Sequence, residues 1–437
     1  MERLALHPSY ARDAETWVDE RLRPGVWAAQ DAEGFARTED WAPGTTKAVP
    51  ARAMDEVRGR RPSKTRPKFA RALAAAGERD LREEEIALLF TATGTELAEL
   101  CRVADGLRRE VNGEEVTYVV NRNINYTNQC YFRCRFCAFS KGPKSLNLRV
   151  DPYLLDPGEV ARRAREAWER GATEVCMQGG IHGRFTGWSY LEYLRAVKDE
   201  VPGIHVHAFS PLEVAQGART MGLTVEAYLK ELKHEGLGTL PGTAAEVLDD
   251  RVRAIICPDK IDAQGWAGVM RAAHAIGLRS TTTIMFGHVD RPENWARHLM
   301  VLREVQAETG GFTEFVPLPF VHTGAQLFLQ GRSRRGPTFA EAVKMHAVGR
   351  TALHGYIDNV QVGRVTMGVE GAKACLEAGC NDLGGTAMNE NIFRAAGANH
   401  GQEMLPEELE AMIRDAGRTP RRRTTLYGVP DREHSVG

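Results

Sequence analysis

Three cysteines stand close together in the chain, at Cys130, Cys134 and Cys137, with the spacing C-x3-C-x2-C. Thiolates bind soft metals such as zinc and the iron of iron–sulfur clusters, and the metal keeps the thiol deprotonated. A closed zinc site needs four ligands, which usually come as two close pairs of Cys or His. No second pair lies near this loop. The spacing therefore favours an iron–sulfur cluster, with structural zinc as the alternative.

A 4Fe–4S cluster with only three cysteine ligands keeps one iron open, and an open iron can bind a substrate. The cysteine spacing, followed by alternating strands and helices, resembles that of the radical S-adenosylmethionine (SAM) enzymes. The resemblance implies that SAM binds the open iron through its amino and carboxylate groups. It also implies that one electron splits SAM into methionine and a 5′-deoxyadenosyl radical, a chemistry that the cofactor carries and the protein positions.

A pair of glycines follows a second predicted strand, residues 174–177, in the segment Gln178, Gly179 and Gly180. Glycine at a strand end lets the backbone approach a ligand closely. Beside the cysteine spacing, this segment resembles the glycine motif with which radical SAM enzymes bind the amino group of SAM. The cofactor contacts predicted on this resemblance are completed by Phe136, Ser210 and Glu213.

Longer segments resemble one group of radical SAM enzymes more closely. The group contains the FO synthase subunits and the two radical enzymes of the futalosine menaquinone route, and the resemblance covers about residues 80–430. The segments that carry it are residues 121–128, 134–139, 205–213, 236–246 and 256–260. Residues 379–386, 390–392 and 395–398 are most similar to the tyrosine-using (CofH-type) FO synthase subunit, and residues 41–44 look like the connector of the fused actinobacterial FO synthase.

This resemblance implies a transferase that joins the 4-hydroxybenzyl group of L-tyrosine to 5-amino-6-(D-ribitylamino)uracil, a step in the biosynthesis of the deazaflavin FO and coenzyme factor 420. It implies a low-potential electron donor as a partner. Only one C-x3-C-x2-C is present, so closure of the deazaflavin ring would require a separate FO synthase subunit as a further partner. Aminofutalosine synthase is the nearest alternative, and a non-enzymatic iron–sulfur or zinc protein is the alternative of a different class.

Polar residues at the ends of other predicted strands are candidates for binding the two substrates, because these ends meet at the mouth of a parallel barrel. Alternate residues of one strand share a face, so the two histidines of the third strand point the same way, inward or outward. Either could instead be a core histidine, and Glu213 could be a first-turn carboxylate that the helix dipole favours. No catalytic side chain is assigned, and the substrate candidates are His205, His207, Thr283, His322, Asn381 and Asp382.

The elements that position these residues alternate between short β-rich runs and longer helical patterns. Eight such strands with helices between them predict a radical SAM (βα)8 TIM-type barrel in the α/β class. A doubly wound sheet is the competitor, but it requires a glycine-rich fingerprint after its first strand, where this chain has cysteines. The predicted strands are residues 116–120, 174–177, 204–209, 238–240, 280–286, 312–316, 359–362 and 382–383.

Composition and length bound the remaining possibilities. We predict an irregular extension or linker over residues 1–75, helices that pack on the barrel over 76–114, and the barrel with a C-terminal helix and tail over 115–437. A net charge of −1 does not suit a nucleic-acid binder, and no run of 18 apolar residues predicts a membrane span. Residues 1–8 contain no apolar signal core, so the expected location is the cytoplasm, and eight cysteines are too few for a disulfide framework.

Overall fold

The computed structural model describes residues 6–142 and 150–431. Within these residues the strands are β1 Glu115–Val119, β2 Asn121–Ile124, β3 Glu174–Met177, β4 His205–Ala208, β5 Thr239–Leu240, β6 Arg279–Phe286, β7 Phe312–Pro319, β8 Asp382–Gly385 and β9 Thr419–Arg423. The helices are α1 Pro8–Arg12, α2 Ala14–Trp17, α3 Arg23–Ala28, α4 Ala51–Val57, α5 Pro67–Ala75, α6 Glu83–Leu89, α7 Thr95–Asn112, α8 Pro157–Glu169, α9 Gly187–Glu200, α10 Pro211–Met221, α11 Val225–His234, α12 Asp250–Ile256, α13 Ala263–Ala275, α14 Pro292–Thr309, α15 Gln326–Leu329, α16 Phe339–Ala352, α17 Arg364–Leu376, α18 Ile392–Ala396 and α19 Pro406–Asp415.

Six parallel strands form the main sheet, in the order β2-β3-β4-β5-β6-β7. Helices lie between successive strands, as right-handed crossovers in parallel sheets require. Single bridges from Phe315 to Val360 and from Gln361 to Asp382 continue the ring beyond β7, and a bridge from Arg122 to Met388 returns it to β2. The α/β class and the barrel-type fold are thus confirmed, although the ring is less regular than eight full strands.

The strand before the cysteine loop differs in detail from the prediction. The predicted first strand, residues 116–120, corresponds to β1, which lies between β8 and β9 in a separate three-stranded sheet. β2 follows at once, pairs with β3 in the main sheet and leads into the cysteine loop. Residues 359–362 contribute isolated bridges instead of a regular strand. β9 was not predicted, because its sequence TPRRR carries a proline and no apolar alternation.

Local sequence explains how two helices begin beside the site. Asp156 caps α8 by accepting a hydrogen bond from the backbone N–H of Glu159, and a proline occupies the first helical position. Ser210 and Glu213 form a reciprocal capping box at the start of α10. These caps fix the points at which the chain leaves the cysteine loop and the end of β4.

The N-terminal segment is more ordered than the predicted irregular extension. It forms the five short helices α1–α5, and it packs on the barrel through Trp41, which is 2% exposed and meets the ring of Phe339 edge-on at 5.2 Å. The carboxylate of Glu341 accepts a hydrogen bond from the Ala32 backbone N–H at 2.7 Å. The prediction failed here because these helices are too short for a hydrophobic period to show. In the described part of the chain, no helix has both the length and the apolar character that a bilayer span needs.

Candidate cluster and substrate site

The cysteine loop covers one end of the barrel interior. Cys130, Cys134 and Cys137 all line a cavity of about 230 Å³, which we call the cluster cavity. Backbone hydrogen bonds hold the loop: the Cys130 N–H donates to the Lys141 carbonyl at 3.0 Å, and the Arg135 N–H donates to the Ile256 carbonyl at 2.8 Å. The loop is therefore closed on itself through Cys130 and joined to the end of α12 through Arg135.

The donor set fits an iron–sulfur cluster. Burial raises the pKa of the thiols of Cys130, Cys134 and Cys137, so a metal would be needed to hold them as thiolates near neutral pH. The thiolates of a 4Fe–4S cluster bind different iron atoms, and three cysteines around one cavity suit that arrangement.

A buried ion pair that the sequence analysis missed also lines this cavity. The Lys260 ammonium lies 2.6 Å from the Glu246 carboxylate, and both side chains are about nine-tenths buried. Lys260 also lies over the ring of Phe136, 5.3 Å from its centroid, and Phe136 is one of the predicted cofactor contacts. Long-range packing brings these residues together, and no motif in the sequence signals the pair.

The two predicted glycines line the cluster cavity, but close packing rather than unusual backbone angles explains them. Neither has a positive φ. A Cβ on Gly179 would lie 2.4 Å from the ring of Tyr126, and one on Gly180 would lie 2.4 Å from the Gln129 carbonyl oxygen. Both glycines therefore let the end of β3 press against the base of the cysteine loop. Gln178 lines the cavity beside them and accepts a hydrogen bond from the Thr243 hydroxyl at 2.8 Å.

Glu213 is 1% exposed and joins three parts of the cavity wall. One carboxylate oxygen accepts from the Tyr126 hydroxyl and from the Gly179 N–H, and the other accepts from the Ser210 N–H and hydroxyl. These four donors fill the positions that a carboxylate offers. Burial raises the pKa of Glu213, and the four hydrogen bonds oppose that shift. Ser210 and Glu213 line the cavity, as the predicted SAM contacts should, but the Glu213 carboxylate is already committed to the protein.

A second cavity of about 280 Å³ lies deeper in the barrel, and we call it the deep cavity. The two cavities are neighbours and share six lining residues: Gln178, Thr243, Thr283, Leu318, Ile392 and Phe393. The lining of the deep cavity includes more amides and carboxylates and two arginines, and apolar side chains line both cavities. Adjoining cavities with apolar walls and a few polar groups suit a substrate that has both an aromatic ring and charged groups.

The structure brings some of the substrate candidates to these cavities. His207 lines the deep cavity, and Thr283 lines both. The rings of His205 and His207 bind the same Thr239 hydroxyl, at 2.8 and 2.7 Å, so they share a face as expected. Burial lowers the pKa of His207 to about 4, which leaves the ring neutral at pH 7. The role of these residues in substrate binding stays a prediction.

Three other candidates lie outside both cavities, and their role in substrate binding stays a prediction. Asp382 is completely buried and binds the guanidinium of Arg423 from β9. Asn381 is held by Arg350, whose guanidinium donates to the Asn381 amide oxygen at 2.7 Å. His322 packs against Phe328, with ring centroids 4.5 Å apart. None of the three, His322, Asn381 or Asp382, lines either cavity. Asn381 and Asp382 are held by their arginine partners, whereas the Nδ1 atom of His322 is buried without a hydrogen-bond partner among the described residues.

Comparison with known proteins agrees with this geometry. The model of the radical SAM superfamily matches residues 124–301, and that of the CofH/MqnC C-terminal region matches residues 309–436. A 5-amino-6-(D-ribitylamino)uracil–L-tyrosine 4-hydroxyphenyl transferase of Methanopyrus kandleri is 49% identical over 75% of this chain and 87% of its own length. The chain belongs to this radical SAM family.

The relatives also include the FO synthases. That of Streptomyces coelicolor is 43% identical over 98% of this chain but only 54% of its own length, and that of Nocardia farcinica is 42% identical over 99% of this chain and 55% of its own length. The chain thus spans about half the length of these FO synthases. Family membership implies SAM and a 4Fe–4S cluster as cofactors.

Solved structures support the fold of this radical SAM chain. A methylornithine synthase superposes with a TM-score of 0.61 at 16% identity, covering 81% of this chain and 97% of its own. The FeFe-hydrogenase maturase HydG of Carboxydothermus hydrogenoformans also superposes with a TM-score of 0.61, at 14% identity, covering 82% of this chain and 80% of its own. At such identities the likeness concerns the fold alone.

Proposed function

We propose that this chain is the radical SAM transferase that joins the 4-hydroxybenzyl group of L-tyrosine to 5-amino-6-(D-ribitylamino)uracil on the route to FO. The observation that carries the proposal is the match to the Methanopyrus kandleri transferase, which extends over 87% of that protein. The arrangement of the barrel supports it. Cysteines, glycines and a capped helix surround one cavity, and a second cavity with several polar side chains adjoins it.

Cys130, Cys134 and Cys137 would hold a 4Fe–4S cluster, and SAM would bind beside the Gly179–Gly180 turn. When bound, the cluster supplies the electron that cleaves SAM to methionine and a 5′-deoxyadenosyl radical. The protein's contribution is position and shielding. Leu318, Phe320, Val321, Ile392 and Phe393 give the cluster cavity an apolar wall, which excludes water from a reactive site.

Thr243 and Thr283 stand where the two cavities meet, and their hydroxyls already donate to Gln178 and to the Gly242 carbonyl. We therefore assign them to shaping the junction rather than to proton transfer. The substrates would enter the deep cavity and place the tyrosine amino group toward the cluster cavity. Abstraction of its hydrogen atom would precede cleavage of the Cα–Cβ bond. The 4-hydroxybenzyl radical would then add to the pyrimidine, with 2-iminoacetate as the other product. The adduct radical would lose one proton and one electron, and that electron balances the one spent in cleaving SAM.

The proposal includes two partners. A low-potential electron donor would reduce the cluster. A ring-closing FO synthase subunit, with its own cluster, would complete the deazaflavin, and the single C-x3-C-x2-C of this sequence supports that division of labour. The eight cysteines are all free, which suits the reducing cytoplasm.

The test is anaerobic incubation of the reconstituted protein with SAM, a chemical reductant, L-tyrosine and the diaminouracil, read by mass spectrometry. The expected products are the 4-hydroxybenzyl adduct, 2-iminoacetate, methionine and free 5′-deoxyadenosine. An adduct that retains the adenosyl group, formed from an enolpyruvyl benzoate, would instead indicate aminofutalosine synthase. Protein that contains zinc and cleaves no SAM would indicate a non-enzymatic metal protein.

A further inference from the structure

One arginine in the wall of the deep cavity has hydrogen-bonding capacity that the protein does not use. Arg364 is the first residue of α17, it lines the deep cavity and it is 4% exposed. Its Nη1 donates to the His400 carbonyl at 3.1 Å. Its Nε and Nη2 have no hydrogen-bond partner in the described part of the chain. These two atoms form one edge of the guanidinium plane.

Burial without partners is costly for a charged group. Arg364 leaves two guanidinium nitrogens unpaired among the described residues, whereas Arg253, Arg303 and Arg334 leave one each. Arg350 donates to the carbonyls of Gly379 and Asp358 and to Asn381, and Arg423 binds Asp382. Burial lowers the pKa of Arg364, and neighbouring carboxylates oppose that shift without pairing with it.

The carboxylate nearest in the cavity wall is already engaged. Glu390 lines the deep cavity, but its oxygens accept the backbone N–H groups of Ile392 and Phe393 at 2.8 and 3.0 Å, together with that of Arg394 at 3.3 Å. Glu390 thus serves as the cap of α18. The Nε–Nη2 edge of Arg364 therefore has no protein anion as its partner, in a residue that lines the deep cavity.

We propose that Arg364 binds the α-carboxylate of the tyrosine substrate through its Nε and Nη2 atoms, an inference that rests on the function proposed above. The Nε–Nη2 edge matches the two oxygens of a carboxylate in a bidentate pair. Of the two co-substrates, only tyrosine carries a carboxylate, because the ribityl chain and the pyrimidine ring offer hydroxyls, amines and carbonyls. The carboxylate of SAM belongs at the cluster, and Arg364 does not line the cluster cavity.

The experiment compares Arg364→Met and Arg364→Lys with the wild-type holoenzyme. Arg394→Met is the matched control, because Arg394 is an exposed arginine whose side chain lines neither cavity. Dissociation constants for L-tyrosine and for tyramine, which lacks the carboxylate, are measured by anaerobic equilibrium dialysis in the presence of SAM. Iron content and SAM affinity report on whether each variant folds with its cofactors.

Loss of hydrogen bonds to a charged group is expected to weaken tyrosine binding roughly 10- to 100-fold in Arg364→Met. Tyramine binding should stay as in wild type, so the variant loses the preference for tyrosine. Arg364→Lys keeps the positive charge but cannot form the bidentate pair, so its affinity for tyrosine should lie between those of wild type and Arg364→Met. If a variant loses iron, the other provides the test.

The outcomes separate this assignment from the function itself. Wild-type protein that makes the adduct, with Arg364 variants that bind tyrosine normally, would refute the role of Arg364 alone. A raised KM for the diaminouracil with unchanged tyrosine affinity would also refute it, since the guanidinium would then serve the other substrate. Wild-type protein that neither binds tyrosine nor forms the adduct would overturn the proposed function and this inference with it.

Discussion

Replacement of Glu213 by glutamine tests whether this carboxylate braces the cofactor site or contacts the cofactor. The glutamine amide offers one acceptor oxygen and one donor nitrogen to four donors. If the glutamine amide nitrogen faces Tyr126, the tyrosine hydroxyl can rotate and accept a hydrogen bond from it, but the Gly179 N–H loses its acceptor. If the amide nitrogen faces Ser210, the serine hydroxyl can accept from it, but the Ser210 backbone N–H loses its acceptor. Either way one buried backbone N–H is orphaned.

An orphaned buried N–H costs about 1–3 kcal/mol, so Glu213→Gln should lower the free energy of unfolding by about that amount. SAM affinity should fall as well, because the Gly179 and Ser210 walls of the cluster cavity loosen, while iron content stays near normal. The measurements are anaerobic urea unfolding and SAM equilibrium dialysis.

The matched control is Glu408→Gln. Glu408 also lies in the first turn of a helix and accepts a hydrogen bond from the Leu405 N–H, but in an exposed position. Its replacement should lower the free energy of unfolding by well under 1 kcal/mol. Two results would refute the bracing argument. One is equal stability of the two variants. The other is a loss of SAM affinity in Glu213→Gln with no loss of stability, which would show a direct contact with SAM.

Three further outcomes are expected. Alanine at any one of the cluster cysteines should abolish iron binding and SAM cleavage. Cys101 is a buried residue of α7, and Cys101→Ala should leave the iron content of purified protein unchanged. Gly179→Ala should weaken SAM binding and lower the free energy of unfolding by about 1–3 kcal/mol, because its Cβ would overlap the Tyr126 ring, and Gly183→Ala, where a Cβ meets nothing within 4 Å, should do neither. With N-deuterated tyrosine in deuterated water, the 5′-deoxyadenosine should gain deuterium by mass spectrometry, and unlabelled deoxyadenosine would exclude abstraction from nitrogen.

The parts of the site that sequence could predict are those that lie close together along the chain. The cysteine loop is a local spacing, and the Gly179–Gly180 turn and the Ser210 capping box are local too. Each pattern specifies its own geometry within a few residues, so it can be recognised before the fold is known. The alternation of strands and helices is local in the same sense, and it predicted the barrel class correctly.

The residues whose surroundings could not be predicted have partners that are distant in the sequence. Asp382 stands at a strand end, where acidic residues often serve catalysis, yet its carboxylate is neutralised by Arg423, 41 residues away. That arginine lies on β9, a strand with no strand-like sequence pattern, so the pair could not be foreseen. The Glu246–Lys260 pair and the unpaired edge of Arg364 were missed for a related reason. Burial and partnership are properties of the folded chain and not of residue type.

The two cavities differ in how many of their buried polar groups lack a hydrogen-bond partner, and this difference indicates different roles. Around the cluster cavity, the described polar side chains are bonded to one another: Glu213 to its four donors, Gln178 to Thr243, and Lys260 to Glu246. In the deep cavity, by contrast, Arg364 keeps a free edge, and the amide oxygen of Asn125 is buried without a partner. A wall whose polar groups are mutually satisfied holds its shape and offers little to divert a radical. A wall with unmet donors and acceptors gains stability only when a ligand supplies their partners. Substrate binding energy should therefore arise mainly in the deep cavity, and the cluster cavity should determine where the radical forms.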